Sequence, residues 1–260
     1  MEFVDRRALG AIEFVDAITA VRMRGPLRLE PADSRVVITP NISSLYVIRS
    51  APGLEAHREA FEHPPVTPVF EDVDLDIAVN DPARRYLPRT VNVKLPRRDA
   101  PFSDADSVLH PLVVPLYPAA AAAVGPNWAV VRVRVQGNGA AHPGLGNALV
   151  VATPQVAGIA AVTAMTDARG EALVAIAGVP RVLPQAGGGA VLTRQFSCQI
   201  DVVIDKRVVT DSSGSSKLAD PELIARDRIA GRPEIVVEPQ PPISLSAGAS
   251  QRLTVEVTWP

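Results

Sequence analysis

Val73-Asp74-Leu75-Asp76-Ile77-Ala78-Val79 carries an aliphatic residue at every odd position and, at the even positions, two aspartates and an alanine. Side chains alternate faces along an extended chain, so this pattern buries one face and leaves the other, mostly acidic, in water. The same period runs through Val91-Asn92-Val93-Lys94-Leu95, Val131-Arg132-Val133-Arg134-Val135, Leu253-Thr254-Val255-Glu256-Val257 and, in part, Ile200 to Val209. The 25 prolines are spread through most of the chain, and long helices do not tolerate them, because proline removes a backbone donor and clashes with the preceding turn. Short β-branched runs bounded by Gly, Pro, Asn and Asp are what a sandwich requires. The expectation is an all-β protein.

One segment departs from the pattern. Asp220-Pro221-Glu222-Leu223-Ile224-Ala225-Arg226-Asp227-Arg228 offers an N-cap, proline at the first helical position, glutamate in the first turn, late basic residues and Gly231 beyond the end. These are the signals of a short helix inserted before the final strands. Just upstream, Asp211-Ser212-Ser213-Gly214-Ser215-Ser216 has the composition of a loop, and Gly187-Gly188-Gly189 that of a hairpin turn.

At 260 residues the chain is long enough for two domains, each with its own core. A hydrophobic content of 47% against 21% charged residues excludes a disordered chain. Net charge is −2, so no bulk field favours nucleic acid or an anionic membrane. The N-terminal residues lack the basic and apolar regions of a secretory signal, and the apolar stretch Ala119–Val124 is far too short to span a membrane. A cytoplasmic protein, released if at all as part of a particle, is the simplest expectation.

Tyr117-Pro118, the alanine run and Gly125-Pro126-Asn127 separate two stretches that share an order: strand, glycine turn, strand, Asx turn, strand, glycine–proline exit. The first passes through Glu13–Val15, Gly25-Pro26-Leu27-Arg28-Leu29, a turn at Asn41–Ser44, a strand Leu45–Ile48 and Pro52-Gly53. The second passes through Trp128–Val135, Gly144–Val151, a turn at Thr166–Gly170, a strand Ala172–Ile176 and Gly178-Val179-Pro180. We therefore expect an N-terminal sandwich over 1–117, a linker over 118–127 and a C-terminal sandwich over 128–260.

The second stretch resembles the carboxypeptidase regulatory-like family, through Gly144-Leu145-Gly146-Asn147-Ala148-Leu149-Val150, Thr166-Asp167-Ala168-Arg169-Gly170-Glu171-Ala172 and Gly178-Val179-Pro180. In the Asp-x-x-Gly turn, aspartate closes on its own backbone and glycine supplies positive φ. The first stretch matches less well, with Ser44 where the family usually has glycine. The resemblance implies two tandem immunoglobulin- or transthyretin-like β-sandwiches with one short helix near the C-terminus. Modules of this kind serve as spacers, adhesive domains and decorations of multi-protein particles. A two-module chain without a signal also resembles accessory proteins of bacterial contractile injection systems, which are phage-tail-like particles.

Candidate chemistry is sparse. Of the four histidines, His63, His110 and His142 precede proline, which favours extended loops, and neither they nor His57 form a metal-ligand spacing. Asp72, Asp74 and Asp76 share a strand face at intervals of about 7 Å and could attract a cation. An EF-hand reading fails, since Ile77 falls where the turn glycine belongs and Ala83 where the bidentate glutamate belongs. Asn92 and Lys94 on a returning strand would offset the acidic row. Arg84, Arg85, Arg89, Lys94, Arg97 and Arg98 cluster nearby, but Tyr86 is the only neighbouring aromatic, so a solvated loop or protein-contact patch is expected over a nucleic-acid site. Cys198, the single cysteine, reads as a small core residue, and Trp128 and Trp259 as lids on strand ends. No nucleophile elbow, phosphate loop or dinucleotide fingerprint occurs.

The expected function is accordingly non-enzymatic and free of cofactors. It is that of a structural or adaptor subunit binding other protein subunits of an assembly, with a homo-oligomer compatible with that role and neither nucleic acid nor a membrane span involved. Pro52–Pro68 and Pro96–Pro118 are the expected contact arms. The alternative is a surface- or carbohydrate-binding module.

Overall fold

The computed structural model describes residues 8–55, 73–97, 107–138, 143–179, 195–209 and 217–258. The chain is all-β with one short helix near its C-terminus. It forms two compact units: Met1–Asp16 with Ala20–Ala83 and Pro88–Leu116, and Ala17–Thr19 with Arg84–Leu87 and Tyr117–Pro260.

In unit 1 the strands are β1 (Gly10–Asp16), β2 (Arg28–Pro31), β3 (Val37–Pro40), β4 (Leu45–Ser50), β5 (Val73–Asn80), β6 (Arg89–Leu95) and β7 (Leu112–Leu116). One sheet runs β3-β4-β1-β7 and the other β2-β5-β6. The alternation that announced β5 and β6 does what its period requires. Leu75, Ile77 and Val79 face inward with Val91, Val93 and Leu95, and all six are buried. From the opposite sheet Ile12, Phe14, Tyr46, Ile48, Val114 and Leu116 are also buried. Phe14 and Tyr46 meet edge to face at 5.3 Å, and the Tyr46 hydroxyl accepts a 2.7 Å bond from the Leu27 amide. The β3–β4 turn closes on Asn41, whose Oδ1 accepts from the amides of Ser43 and Leu45, both at 2.9 Å. Ser44 takes φ 60°, the left-handed conformation that glycine adopts most readily.

Two expectations for this unit need correction. Arg89 is not part of a solvated basic patch: it is fully buried in β6, donating to the carbonyls of Thr90 (3.2 Å) and Pro115 (2.8 Å). A guanidinium can enter a core when carbonyls take up its N–H groups. The last part of the expected arm Pro96–Pro118 is not a connection either, because Leu112–Leu116 is β7, hydrogen-bonded in parallel to β1; residues 98–106 of that arm, and 56–68 of the arm Pro52–Pro68, lie outside the described residues. The alternating burial of Val114 and Leu116 explains why.

In unit 2 the strands are β8 (Ala129–Gly137), β9 (Leu149–Pro154), β10 (Val162–Met165), β11 (Glu171–Ile176), β12 (Gln195–Asp205), β13 (Ile235–Pro239), β14 (Ile243–Ser246) and β15 (Ser250–Val257), with helix α1 (Pro221–Ile229) between β12 and β13. One sheet runs β11-β8-β15; the other runs β10-β9-β12-β13, with β14 also on β12. Pro241 and Pro242, which lack amide donors, fall between β13 and β14, so two short strands line the edge of β12 where one could have run. Inward residues of both sheets, among them Val131, Val133, Val150, Val174, Ile200 and Val255, share one core.

The strand routing of the two units corresponds. In each, the first strand lies antiparallel to the fourth and parallel to the last, while the second pairs with the fifth in the other sheet. The third strand differs: β3 pairs with β4, whereas β10 pairs with β9.

Helix α1 begins as its sequence requires. Asp220 caps it, accepting from the amides of Glu222 (3.1 Å) and Leu223 (3.3 Å), and Gly231 follows at φ 65°. Ile224 packs with Leu149, Met165, Val203, Tyr117, Leu87 and Ala219 in a second core. That core explains why β12 alternates only in part, since Val202, Val203 and Ile204 are all fully buried, on both faces of the strand. Charge fixes the helix further. Arg207 bridges Asp205 (2.6 Å) and the helix residue Asp227 (2.5 Å), and Arg228 reaches Asp201 (2.8 Å).

Candidate functional site

The turn that the sequence singled out is closed by the side chain of its own first residue, Asp167. Asp167 Oδ1 accepts from the amides of Arg169 (2.8 Å) and Glu171 (3.0 Å), and the Gly170 amide returns to the Asp167 carbonyl at 2.8 Å. Gly170 sits at φ 77°, and a Cβ there would strike the Val135 carbonyl and come within 2.7 Å of the Leu145 nitrogen. A Cβ on Gly144 would strike the Arg169 carbonyl. Both glycines are therefore required by close backbone approach. The buried Thr166 hydroxyl donates to the Leu145 carbonyl (2.7 Å) and accepts from the Ala148 amide (2.9 Å). Asn147, at φ 63°, donates through Nδ2 to the carbonyls of Val208 and Lys217, both at 3.0 Å.

This knot delivers Arg169 and Glu171 to the rim of a groove on the outer face of β11-β8-β15. The cavity holds about 640 Å³ and is lined by Arg132, Arg134, Arg169, Glu171, Arg252 and Thr254, with Ala120 and Ala121 at one side. Strand register sets the arrangement. Arg132 stands opposite Leu173 on one side and Arg252 on the other; Arg134 stands opposite Glu171 and Thr254. The remainder of this face, Val130, Leu173 and Ala175, is covered by Ile18, Ala122 and Trp128. The groove is thus the charged half of a sheet face whose apolar half is closed.

The four guanidiniums are not equivalent. Arg169 pairs with Asp167 and Glu171, both at 3.0 Å, and the Asp167 hydrogen bond followed by the two charges holds it still more firmly protonated. Arg132 donates to the Ala120 carbonyl. Arg134 and Arg252 form no hydrogen bond or ion pair with any described residue. Sequence reasoning missed this set because it sought basic runs. The signal was present in Arg132-x-Arg134, which places two guanidiniums on one strand face, but Arg252 joins them only through the pairing of β8 with β15.

The residues that the sequence proposed do not converge. Asp74 lies opposite Lys94, and Asp76 opposite Asn92, whose Nδ2 donates to Asp76 Oδ1 at 2.8 Å. Asp72 lies outside the described residues, as do His57, His63, His142, Arg98, Trp259, Asp211–Ser216 and Gly187–Gly189. Among the described residues no three His, Cys, Asp or Glu gather as metal ligands. His110 is half-buried beside Ser107, whose carbonyl accepts from its amide at 3.0 Å. Arg84 and Arg85 are exposed, and the Arg85 guanidinium lies 5.9 Å from the Tyr86 ring centre. Cys198 is a core residue, its thiol pushed up to about 11 by burial. Trp128 is half-buried, packed so closely on Gly125 that a Cβ there would lie 2.7 Å from the indole.

No helix among the described residues is long and apolar enough to cross a membrane. No protein-family model matches the chain, and neither a curated protein nor a solved structure matches it at a significant level.

Proposed function

We propose that the chain is a non-enzymatic structural or adaptor subunit that binds partner proteins within a larger assembly. The observation that carries this reading is the open groove of unit 2, where four guanidiniums stand on or beside one sheet face and two of them have no partner among the described residues. Arginine suits such surfaces, since its planar fork is weakly hydrated and forms directional bonds to carboxylates and carbonyls. The corresponding strand routing of the two units supports descent from one sandwich of the carboxypeptidase regulatory-like kind, a module used for spacing and attachment. The assembly we propose is a contractile, phage-tail-like particle built in the cytoplasm and released with its components. The alternative, a carbohydrate- or surface-binding module, would need an open aromatic platform, and the packing of Trp128 against Gly125 argues against that residue as one.

The test is native purification of the tagged full chain followed by mass spectrometry. Recovery of a stoichiometric partner complex is expected. A clean monomer from native lysate, or hydrolase activity abolished by a single substitution at His110, would overturn the reading.

A further inference from the structure

We propose that the arginine groove of unit 2 docks an acidic, extended peptide segment of a partner protein, laid along the free edge of β15. The proposal rests on the adaptor reading above and gives its partner a chemistry.

Charge is the first argument. Arg132 and Arg252 face each other directly across the β8–β15 ladder, and like charges opposite one another destabilise a sheet. The fold relieves this only in part, through the Arg132 bond to the Ala120 carbonyl. Arg134 stands opposite Glu171, but Arg169 engages that carboxylate at 3.0 Å and Arg134 has no ion pair with a described residue. A carboxylate between Arg132, Arg134 and Arg252 would remove the repulsion and supply bidentate partners.

Backbone geometry is the second argument. The Val130 amide donates to the Ala249 carbonyl and the Asn138 amide to the Val257 carbonyl, which places the odd-numbered residues of β15 in the ladder with β8. In a parallel ladder the even-numbered residues then direct their N–H and C=O groups away from β8. β15 is the edge of its sheet, and no described residue pairs with the outward groups of Ser250, Arg252 and Thr254. An added strand would hydrogen-bond there and present alternate side chains beside Arg252, at the groove. An acidic residue beside Arg252 would meet its guanidinium directly, with those of Arg132 and Arg134 one strand further in on β8.

The lining argues against nucleic acid. It holds no aromatic ring on which a base could stack, and Glu171 stands at the rim where a phosphate chain would pass.

The experiment titrates the full chain into a fluorescein-labelled eight-residue peptide alternating Glu and Thr, a length matched to β15, and reads anisotropy. A Gln-for-Glu peptide and an oligouridylate are the comparisons. Saturable binding of the acidic peptide is expected, weaker by about tenfold for the Gln peptide and for the R134Q/R252Q double variant. Binding should also weaken as added salt shortens the screening length. The double variant must fold, and its urea midpoint should equal or exceed that of the parent, because a like-charge pair is gone. Undiminished binding by the double variant, stronger binding of the oligouridylate, or no saturable binding of the acidic peptide overturns the proposal. A partner complex that survives R134Q/R252Q during native purification overturns the groove assignment while leaving the adaptor reading intact; a parent chain without any partner sinks both.

Discussion

Replacing Thr166 by valine changes one buried oxygen to carbon and leaves the shape of the side chain almost unaltered. In the parent, that oxygen serves the Leu145 carbonyl at 2.7 Å and the Ala148 amide at 2.9 Å, between residues that are fully buried. No water can reach the two backbone groups that the substitution strands, and each costs about 1–3 kcal/mol when unpaired. The total lies near 2–6 kcal/mol, and about 3 kcal/mol is expected after small backbone adjustments. Both tryptophans, Trp128 and Trp259, belong to unit 2, so tryptophan emission in a urea titration reports that unit. With a slope of about 2 kcal/mol per molar urea, the midpoint should fall by about 1.5 M. Thr166→Ser keeps the hydroxyl and loses one methyl, worth about 0.8 kcal/mol, or about 0.4 M. A valine variant no less stable than the serine variant would refute the argument that this hydroxyl joins the segment leading into β9 to the turn before β11.

Four further substitutions and one labelling experiment test other parts of the fold. Gly170→Ala and Gly144→Ala should each prevent unit 2 from folding to a soluble state, whereas Gly158→Ala, at φ 82° with nothing within 4 Å, should cost no more than about 1–2 kcal/mol of stability, read from its urea midpoint. Arg207→Ala leaves Asp205 and Asp227 facing each other while buried. Loss of one partner from a buried pair costs about 3–5 kcal/mol, and since the Arg207 side chain is 44% exposed, screening reduces the expectation to about 2 kcal/mol, read in the same titration. Cys198 should resist iodoacetamide at pH 8.5 in the native chain and react as fast as the chain unfolds. Its thiol is raised from 9.0 to about 11 by burial, so the folded state disfavours the thiolate. The associated stability is present below pH 9 and is lost as pH rises towards 11, which a urea series at increasing pH would follow.

The features legible in the sequence were those written in consecutive residues. Alternation announced β5, β6, β8 and β15, and the Asp220-Pro221-Glu222 signature placed α1 to within a residue of its observed start. The Asp167–Gly170 turn was readable because an Asx closure and a positive-φ glycine are both local requirements. What escaped depends on pairing. Arg89 looked like a surface charge because its acceptors, among them the Pro115 carbonyl, come from a strand that the proline count had suggested was a loose arm. β12 appeared only partly alternating because the helix that buries its second face is joined to it by chain outside any local window. The groove escaped for the same reason, since Arg252 joins Arg132 through a parallel ladder between strands more than a hundred residues apart.

The turn and the groove are physically one device. Val135 is held on both sides: its amide donates to the Gly170 carbonyl of the turn at 2.8 Å, and its carbonyl accepts from the Leu145 amide at 2.9 Å. Arg134, the neighbour of Val135 on β8, therefore points to the opposite face at a height fixed by those bonds. Glu171 follows Gly170 directly, and its register against Arg134 is set by the same approach. A side chain at Gly170 would push β11 away from β8, and with it the Arg169–Glu171 pair that leaves Arg134 unpartnered. The close packing that a glycine permits on the inner side thus governs which guanidiniums are available on the outer one. For that reason the sheet can hold the Arg132–Arg252 repulsion without rearranging: the strands that carry it are pinned at the turn and by the shared core, and the charge is left for a ligand to neutralise.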